Sequence, residues 1–324
     1  MIRISIVTPS FNQAQYLEQT IQSVISQKYE NLQYIIIDGG STDGSVEIIK
    51  KYSNNLDFWI SELDSGQSEA INKGLLKCDG EVFNWINSDD LLAEGCLHYV
   101  ASAFEDPNVD VLAGSYELFY NNDIKTGQLI AYHPLKAINH TIGNALIHQP
   151  STFMRMDKIG ELGFLNQSLN YIMDQDLWIR YLLKFGQKKV RITDKKLAYF
   201  RVHNTSKTFN FGNDKFWEER DSYFYTLAIK AGLTKQADAM ITENPNLVEL
   251  EVNSNGFQNN NQLITKAINS QFEYRARQLI YNKDFKKALS LIKVISDSYL
   301  FLILYLRIKA DPLIHSMKKL NPDK

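Results

Sequence analysis

The first 90 residues alternate three times between a short apolar run and an amphipathic helical pattern. The runs cover residues 2–8, 32–37 and 57–61, and a fourth run follows at residues 82–86. Each has the length of a strand, and the second is apolar almost throughout, as in a strand covered on both faces. Strands that alternate with helices form parallel sheets with right-handed crossovers. The sequence therefore predicts an α/β domain with a mostly parallel sheet flanked by helices.

The elements that follow are less regular. Residues 109–115 and 190–202 are predicted strands, and residues 145–155 are predicted as an interrupted strand. Residues 116–143 are polar with little periodicity, which favours a loop region over a site. Residues 170–185 place apolar side chains on one helical face and are predicted to form a helix.

Polar side chains collect where the first four predicted strands end. The four clusters are residues 8–12, 38–43, 64–67 and 87–90. In open α/β sheets, ligands bind beyond the carboxyl ends of the strands. Each cluster taken alone has an ordinary interpretation as turn chemistry. Four of them at one sheet edge favour a binding site.

Asp89 and Asp90 are adjacent carboxylates at the end of the fourth apolar run. At a buried strand end they repel each other and lose hydration. A divalent cation relieves both costs, because hard cations prefer carboxylate oxygens. The alternative is a helix N-cap supplied by Ser88 or Asp89. The neighbouring polar clusters favour the cation site.

Composition excludes several other classes. The net charge is −2, which gives no field that would attract nucleic acid, and the two cysteines provide no disulfide framework. No phosphate-binding glycine motif of the dinucleotide or P-loop type is present. The longest apolar run, residues 299–306, is shorter than the ~18 residues of a membrane span. With no apolar leader after Met1, we expect a cytoplasmic protein.

The composition changes after about residue 209. Asparagine and glutamine cluster in residues 244–262, which predicts a linker or loop, and residues 263–320 have helical patterns that include a pair turning at residues 282–284. We therefore predict an α/β domain at residues 1–210 and a helical region of unknown role at residues 211–324.

The apolar run at residues 299–306 is followed by several lysines. Core packing is the first interpretation. The alternative is a peripheral contact with the inner face of a membrane, or with a second copy of the chain.

Seven segments in the first 210 residues are similar to the family 2 glycosyltransferases, whose catalytic domain has the GT-A fold. They are T-P-S-F-N-Q at 8–13, I-D-G-G-S-T-D-G-S at 37–45, W-I-S-E-L-D-S-G-Q-S-E-A-I-N-K-G at 59–74, W-I-N-S-D-D at 85–90, Q-P-S-T-F at 149–153, M-D-Q-D-L-W-I-R at 173–180 and R-V-H-N-T-S-K-T at 201–208. They occur in family order, which makes the resemblance specific. The chain beyond residue 210 is not covered by it.

The resemblance implies a donor site for a nucleotide sugar, most often a UDP-sugar. Its implied lining is Thr8, Pro9, Ser10, Phe11, Asn12, Asp38, Asp64, Gln67, Lys73, Asn87 and Ser88. Asp89 and Asp90 match the acidic metal motif of the family. His203 matches a position that closes over the metal or the diphosphate. The implied cofactor is therefore Mg²⁺ or Mn²⁺.

On the acceptor side, Asp174 matches the general base of inverting family members. Asp176 and Trp178 follow it on the same predicted helix and are expected near the acceptor, although a core position suits Trp178 equally well.

Three residues depart from the family pattern. Gly39 replaces the second acid of the common D-D-G-S form, Asn87 stands where many relatives have a further aspartate, and Gln13 replaces a frequent glutamate. All three lower the negative charge of the expected site, which affects cation affinity and base preference.

The predicted function is a metal-dependent inverting glycosyl transfer to a hydroxyl of a glycan or lipid-linked acceptor, in the synthesis of a cell-surface polysaccharide. The alternatives are a nucleotide-sugar-binding protein without transferase activity and a sugar nucleotidyltransferase. The second alternative is disfavoured, because the loop after the first strand, P-S-F-N-Q, has no cation.

Overall fold

The computed structural model describes residues 1–120, 123–130, 137–144, 147–203, 214–253 and 260–295, with residues 302, 305 and 306. It divides into two compact units. The first comprises residues 1–134, 147–216 and 253–256, and the second comprises residues 135–146, 217–252 and 257–324. The sequence predicted a boundary near residue 210 and a first domain that is continuous in sequence. In the structure, residues 135–146 belong to the second unit.

The first part of the chain forms the predicted parallel sheet. Its elements are β1 (Ile4–Ser10), α1 (Ala14–Ile25), β2 (Leu32–Asp38), α2 (Ser45–Lys51), β3 (Phe58–Ser61), α3 (Gln67–Leu75) and β4 (Val82–Trp85). β1 lies between β2 and β4, and β3 lies beyond β2, with every pair parallel. The four polar clusters therefore emerge at the same edge of the sheet.

The sheet continues with strands of mixed direction. The next elements are β5 (Leu91–Leu92), α4 (Cys96–Phe104), β6 (Val111–Tyr120), β7 (Asp123–Ile130), α5 (Ile138–Gly143, in the second unit), β8 (Thr152–Arg155), α6 (Met156–Leu162), α7 (Met173–Phe185) and β9 (Val190–Val202). In the described residues the strand order is β3-β2-β1-β4-β8-β6-β9-β5, with β7 paired to β6. β8 is antiparallel to both of its neighbours, whereas β6 and β9 are parallel. The predicted fold class is confirmed.

Two local predictions were wrong. Residues 116–143 were predicted as a loop, but β6 extends to Tyr120 and turns back into β7, with Tyr116 opposite Ile130. The extension of β6 to Tyr120 is stabilised by its pairing with β9 along most of its length, and the local sequence does not reveal that pairing. The N-cap interpretation of Ser88 and Asp89 fails as well, because the chain enters β5 there and the next helix begins at Cys96.

The core of the first unit lies on both sides of the central strands. All seven residues of β1 are buried, as expected for a parallel strand covered on both faces. Helix α3 packs closely against β1 at Gly74, where an added Cβ would lie 2.6 Å from Cγ1 of Val7. This close approach positions the N-terminus of α3, which begins at Gln67, beside the polar edge of the sheet.

The second unit is helical in its described residues. It contains α5, α9 (Thr234–Glu243), α10 (Asn261–Tyr281) and α11 (Phe285–Ile292). It also contains α8 (Asp214–Lys230) from Trp217 onward. The predicted turn at residues 282–284 is confirmed, and the Asp284 side chain caps α11 by accepting from the N–H of Lys287. Helices α8 and α9 lie within the predicted helical region, although their individual bounds were not predicted. Arg275 of α10 joins both of them through ion pairs with Asp221 (2.6 Å) and Glu243 (3.0 Å).

The apolar run at residues 299–306 lies mostly outside the described residues, so both interpretations of it stay predictions. Among the helices that the structure describes, none has the length and apolar character needed to cross a membrane.

Candidate active site

Asp38 ties the ends of β2 and β3 together. Its carboxylate is fully buried and accepts hydrogen bonds from the Gly40 N–H (3.1 Å), the Ser41 N–H (2.8 Å) and the Ser41 hydroxyl (2.5 Å). A fourth bond comes from the hydroxyl of Ser61 at 2.7 Å. The residue was expected to face the base and ribose of a donor. In the structure its oxygens shape the loop on which a donor would lie.

The loop after β1 is joined to the loop after β2. Asn12 has a left-handed backbone (φ 51°), and its side-chain oxygen accepts from the Thr42 N–H at 2.9 Å. Asp43 accepts from the N–H groups of Ala14 (2.9 Å) and Ser45 (3.0 Å). Burial opposes ionisation, but bonds from Ser45 and Ala14 hold the pKa of Asp43 below its ordinary value. The two loops therefore form one surface.

Residues 8–11 differ in their access to a ligand. Thr8, Pro9 and Ser10 are buried, and the Thr8 hydroxyl lies 3.1 Å from that of Tyr34. Phe11 is 59% exposed. Of these four predicted donor contacts, only Phe11 presents a large surface to solvent.

Lys73 lies on helix α3, which follows the third polar loop, and its charge is already neutralised. The amine of Lys73 pairs with Glu62 (2.8 Å) and Glu69 (3.0 Å).

The amide of Gln67 donates to Oδ1 of Asn87 at 2.8 Å, which links the third polar loop to the end of β4. Asp64 accepts from the Gly66 N–H at 2.9 Å. Ser88, in the next loop, is buried.

Asp89 contacts a residue from the far end of the domain. Oδ2 of Asp89 lies 2.8 Å from Nε2 of His203, just beyond β9. Both side chains are largely buried, with exposures of 20% and 7%. A carboxylate oxygen and an imidazole nitrogen are thus held together at the strand ends.

Arg201 supports this pair and was not predicted as a site residue. Its Nε donates to the Asp89 carbonyl oxygen at 2.8 Å, and its guanidinium lies between the rings of Tyr16 (4.6 Å) and Phe119 (4.5 Å). The ring of Tyr16 also packs on His203, with 4.8 Å between centroids. The sequence signal that could have identified Arg201 was its place in the R-V-H segment, two residues before His203.

Asp90 faces the interior of the protein. Its side chain is 1% exposed, and it accepts from the Arg201 N–H (3.0 Å) and the Asn87 amide (3.1 Å). Burial and the neighbouring Asp89 charge raise its pKa well above the ordinary value. The structure therefore corrects the expectation that both acids face a cation, because the Asp90 oxygens bind the protein instead.

Asp174 lies in the first turn of α7 and is half-buried. The segment before this helix is anchored on α3 by the Ser68 hydroxyl, which donates to the Leu169 carbonyl at 3.0 Å. Asn72 adds a reciprocal pair of bonds with the backbone of Leu165 (2.8 and 3.0 Å). These bonds bring the start of α7 to α3, whose first residue, Gln67, contacts the end of β4.

Asp176 and Trp178 are both inaccessible to an acceptor. Asp176 is fully buried and accepts from Nε and Nη2 of Arg180 at 2.9 and 2.7 Å. The same guanidinium donates to the carbonyl groups of Leu162 and Phe164, so it joins α7 to the end of α6. Trp178 is 2% exposed and stacks on Tyr181, which agrees with the core alternative. We therefore remove both residues from the acceptor side.

A divalent cation fits the Asp89–His203 pair. In the structure, Nε2 of His203 and Oδ2 of Asp89 form a hydrogen bond at 2.8 Å, and a bound cation would take the place of that bond. Carboxylate and imidazole both bind Mn²⁺, and Mg²⁺ prefers the oxygen. In the described part of the chain, no three His, Cys, Asp or Glu side chains gather as a complete cation site. Diphosphate oxygens and water would have to supply the remaining ligands.

The sheet, with its flanking helices, is that of a GT-A glycosyltransferase fold. A carboxylate–imidazole pair lies at its polar strand ends. The sequence model described as "Glycosyl transferase family 2" matches residues 5–163. The matched segment, just under half of the chain, is therefore similar to the family 2 glycosyltransferases.

Curated relatives that are similar to this chain are named as glycosyltransferases. An uncharacterized glycosyltransferase of Rickettsia typhi is 26% identical over 213 residues, covering 63% of this chain and 65% of that protein. The chain spans between 31% and 65% of the first curated relatives that it matches.

Two solved structures share the fold. S. aureus TarS 1–349 in complex with UDP has a TM-score of 0.58 at 18% identity, over 96% of this chain and 88% of that one. A mannosyltransferase from Pyrobaculum calidifontis, in complex with GDP-Man and Mn²⁺, has a TM-score of 0.53 at 14% identity, over 100% and 81% of the two chains.

Proposed function

We propose that the protein transfers a sugar, with inversion, from a nucleoside-diphosphate donor to a hydroxyl group. The donor is a UDP-sugar, and the acceptor is a glycan or lipid-linked chain of a cell-surface polysaccharide. The observation that carries the proposal is the 2.8 Å contact of Asp89 and His203 at the ligand-binding edge of the sheet. The UDP complex of TarS and the GDP-Man complex of the mannosyltransferase support a nucleotide donor.

In this proposal Asp89 and His203 hold Mg²⁺ or Mn²⁺ together with the donor diphosphate. The bound ion would neutralise charge on the departing diphosphate. Arg201 keeps Asp89 in place through the bond to its carbonyl oxygen. Buried Asp90 keeps the end of β4 against β9, since it accepts the backbone N–H of Arg201.

Asp174 is the proposed general base. A carboxylate in the first turn of a helix is favoured in its ionised form by the helix dipole, and Asp174 is not fully buried. It accepts the proton of the acceptor hydroxyl while that oxygen bonds to the anomeric carbon and the diphosphate departs from the opposite face. One displacement of this kind inverts the anomeric centre. Proton transfer to a positioned base contributes about 10²–10⁴-fold to the rate.

The test is release of nucleoside diphosphate from a panel of nucleotide sugars. We expect release from at least one UDP-sugar with Mn²⁺ or Mg²⁺ and its loss with EDTA. Asp89→Ala should lose both activity and metal-dependent UDP binding. Glu94→Ala is the matched control, because Glu94 is an exposed acid in the loop after β5.

Binding of nucleotide sugars with no turnover in the presence of glycan or lipid-linked acceptors would favour a binding protein and contradict the proposal. Metal-dependent UDP binding unchanged in Asp89→Ala would remove the cation from Asp89.

A further inference from the structure

Arg220, on α8 in the second unit, is a buried cation that the protein binds only weakly. The residue is 4% exposed. Its guanidinium stays charged and carries several N–H donors. The described residues accept one hydrogen bond from it, from Nη2 to the Gly143 carbonyl oxygen, and that bond is long at 3.4 Å. Burial lowers the pKa of Arg220. Because buried charges are normally paired, this guanidinium favours an additional acceptor.

The carboxylates near Arg220 pair with a different arginine. Asp221 is its neighbour in sequence, but the Asp221 carboxylate lies 2.6 Å from the guanidinium of Arg275. Glu243 pairs with Arg275 as well, at 3.0 Å. Three aromatic rings lie near the Arg220 guanidinium, those of Trp217 (5.4 Å), Phe224 (5.7 Å) and Tyr274 (5.7 Å). Ring faces attract a cation, but they do not replace oxygen acceptors for its N–H groups.

Gln271, on α10, is a second buried polar group beside the same backbone carbonyl. It is fully buried, and neither its Nε2 nor its Oε1 has a hydrogen-bond partner among the described residues. Helices α5 and α10 meet closely at Gly143, where an added Cβ would lie 2.9 Å from the backbone nitrogen of Gln271. Tyr274, whose ring lies near Arg220, follows Gln271 by three residues and shares its helical face. Both polar side chains therefore lie around Gly143.

These two side chains together define the chemistry of a ligand. Arg220 requires oxygen acceptors, preferably charged ones, which phosphate, sulfate and carboxylate groups all supply. The Gln271 amide has both a donor and an acceptor to satisfy, so its ligand must donate a hydrogen bond as well as accept one. A phosphate that keeps one proton does both, because its O–H group can donate. Sulfate and ionised carboxylates only accept.

We propose that Arg220 and Gln271 form a buried phosphate-binding site in the second unit. The guanidinium and the Gln271 Nε2 donate to phosphate oxygens, and the Gln271 Oε1 accepts the phosphate O–H. A bound phosphate joins α8 to α10 beside the end of α5, so it stabilises the second unit. The site is independent of the proposed glycosyl transfer, because both residues lie outside the first unit that contains Asp89 and Asp174.

The test is thermal unfolding and calorimetry of the full chain with EDTA, in inorganic phosphate, sulfate or chloride at equal ionic strength. At roughly ten times its dissociation constant, phosphate should raise the melting temperature by about 2–4 °C over chloride. Sulfate should raise it less. Glycerol phosphate distinguishes the sources of the group: a gain equal to that of inorganic phosphate identifies a phosphate ester as a ligand, and no gain identifies the free ion.

Two variants assign the binding to these side chains. Arg220→Met should weaken phosphate binding by at least about tenfold, because it removes hydrogen bonds from a charged group. Gln271→Leu should fold, since leucine leaves no buried polar atom unpaired, and it should lose the preference for phosphate over sulfate. Arg277→Met and Gln278→Leu are the matched controls, because both residues are exposed on α10. They should respond to phosphate as the wild type does.

Three results would overturn the site. The first is a wild-type protein that phosphate stabilises no more than chloride. The second is phosphate binding that is unchanged in both Arg220→Met and Gln271→Leu. The third is loss of the phosphate effect in Asp89→Ala, which would place the ion in the first unit. A phosphate effect that persists in Asp89→Ala supports the site, whether or not the protein transfers sugars.

Discussion

Nε2 of His203 lies 2.8 Å from Oδ2 of Asp89, although 114 residues separate them in the chain. The contact exists because β5, which begins two residues after Asp89, pairs with β9, which ends directly before His203. Arg201 reinforces it with bonds to both residues of the acidic pair. The candidate cation site thus lies where the chain after β4 meets the end of β9.

Replacement of His203 by alanine should weaken activation by the metal more than nucleotide binding without it. The imidazole is one of the two protein ligands that we propose, and loss of one ligand leaves a weaker cation site. Titration of activity with Mn²⁺ should show a concentration for half-activation at least about tenfold higher than in the wild type. His98→Ala removes an exposed imidazole from α4 and is the control. An unchanged Mn²⁺ titration in His203→Ala would contradict the assignment.

Asp174→Asn should abolish transfer while UDP binding persists. The amide keeps the shape of the side chain but cannot accept the proton of the acceptor, so the rate should fall by about 10²–10⁴-fold. Single-turnover transfer and UDP calorimetry measure the two effects separately. Asp157→Asn, on the exposed surface of α6, should behave as the wild type. Near-normal transfer in Asp174→Asn would remove Asp174 from the role of base.

Arg180→Met should destabilise the first unit by about 3–5 kcal/mol, because it removes the guanidinium that forms an ion pair with the fully buried Asp176 carboxylate. Urea unfolding measures this loss. Combined replacement with Asp176→Leu should recover much of it, since no buried charge then remains. Lys158→Met breaks exposed pairs with Asp157 and Glu161 and should cost less than about 1 kcal/mol. A loss that is equally small in Arg180→Met would show that the buried pair contributes little.

The stability of the second unit should depend on pH through Asp221. Burial raises the pKa of this acid above 3.8, although the charges of Arg275 and Arg220 oppose the shift. The folded state therefore holds more protons than the unfolded state between these two pKa values. The free energy of unfolding contributed by Asp221 is highest below the unfolded value and decreases as pH rises through the folded value.

Unfolding of the wild type and of Asp221→Asn, compared at several pH values from 4 to 7, isolates this contribution. The stability of the wild type relative to the variant should decrease as pH rises. A difference that is constant with pH, or that grows, would contradict the raised pKa.

The sequence by itself determined where the first four strands lie along the chain and that their polar clusters meet at one edge of the sheet. Apolar periodicity is a local property, and it is sufficient for β1 to β4 and for the turn between α10 and α11. The family motifs also placed Asp89 and His203 in one site. Residues 116–120 could not be assigned in this way, because their pairing with β9 involves residues far along the chain.

Only the tertiary structure decided which acids are available to bind a ligand. Asp90 and Asp89 are neighbours in sequence, yet Asp90 accepts a hydrogen bond from the backbone N–H of Arg201, which lies 111 residues further along the chain. Asp38 is occupied by its own loop, whereas Asp64 reaches over Gly39 with one oxygen unpaired in the described chain. Whether a carboxylate binds the protein or a ligand depends on the donors that folding brings to it, and those donors come from strands that no local pattern connects.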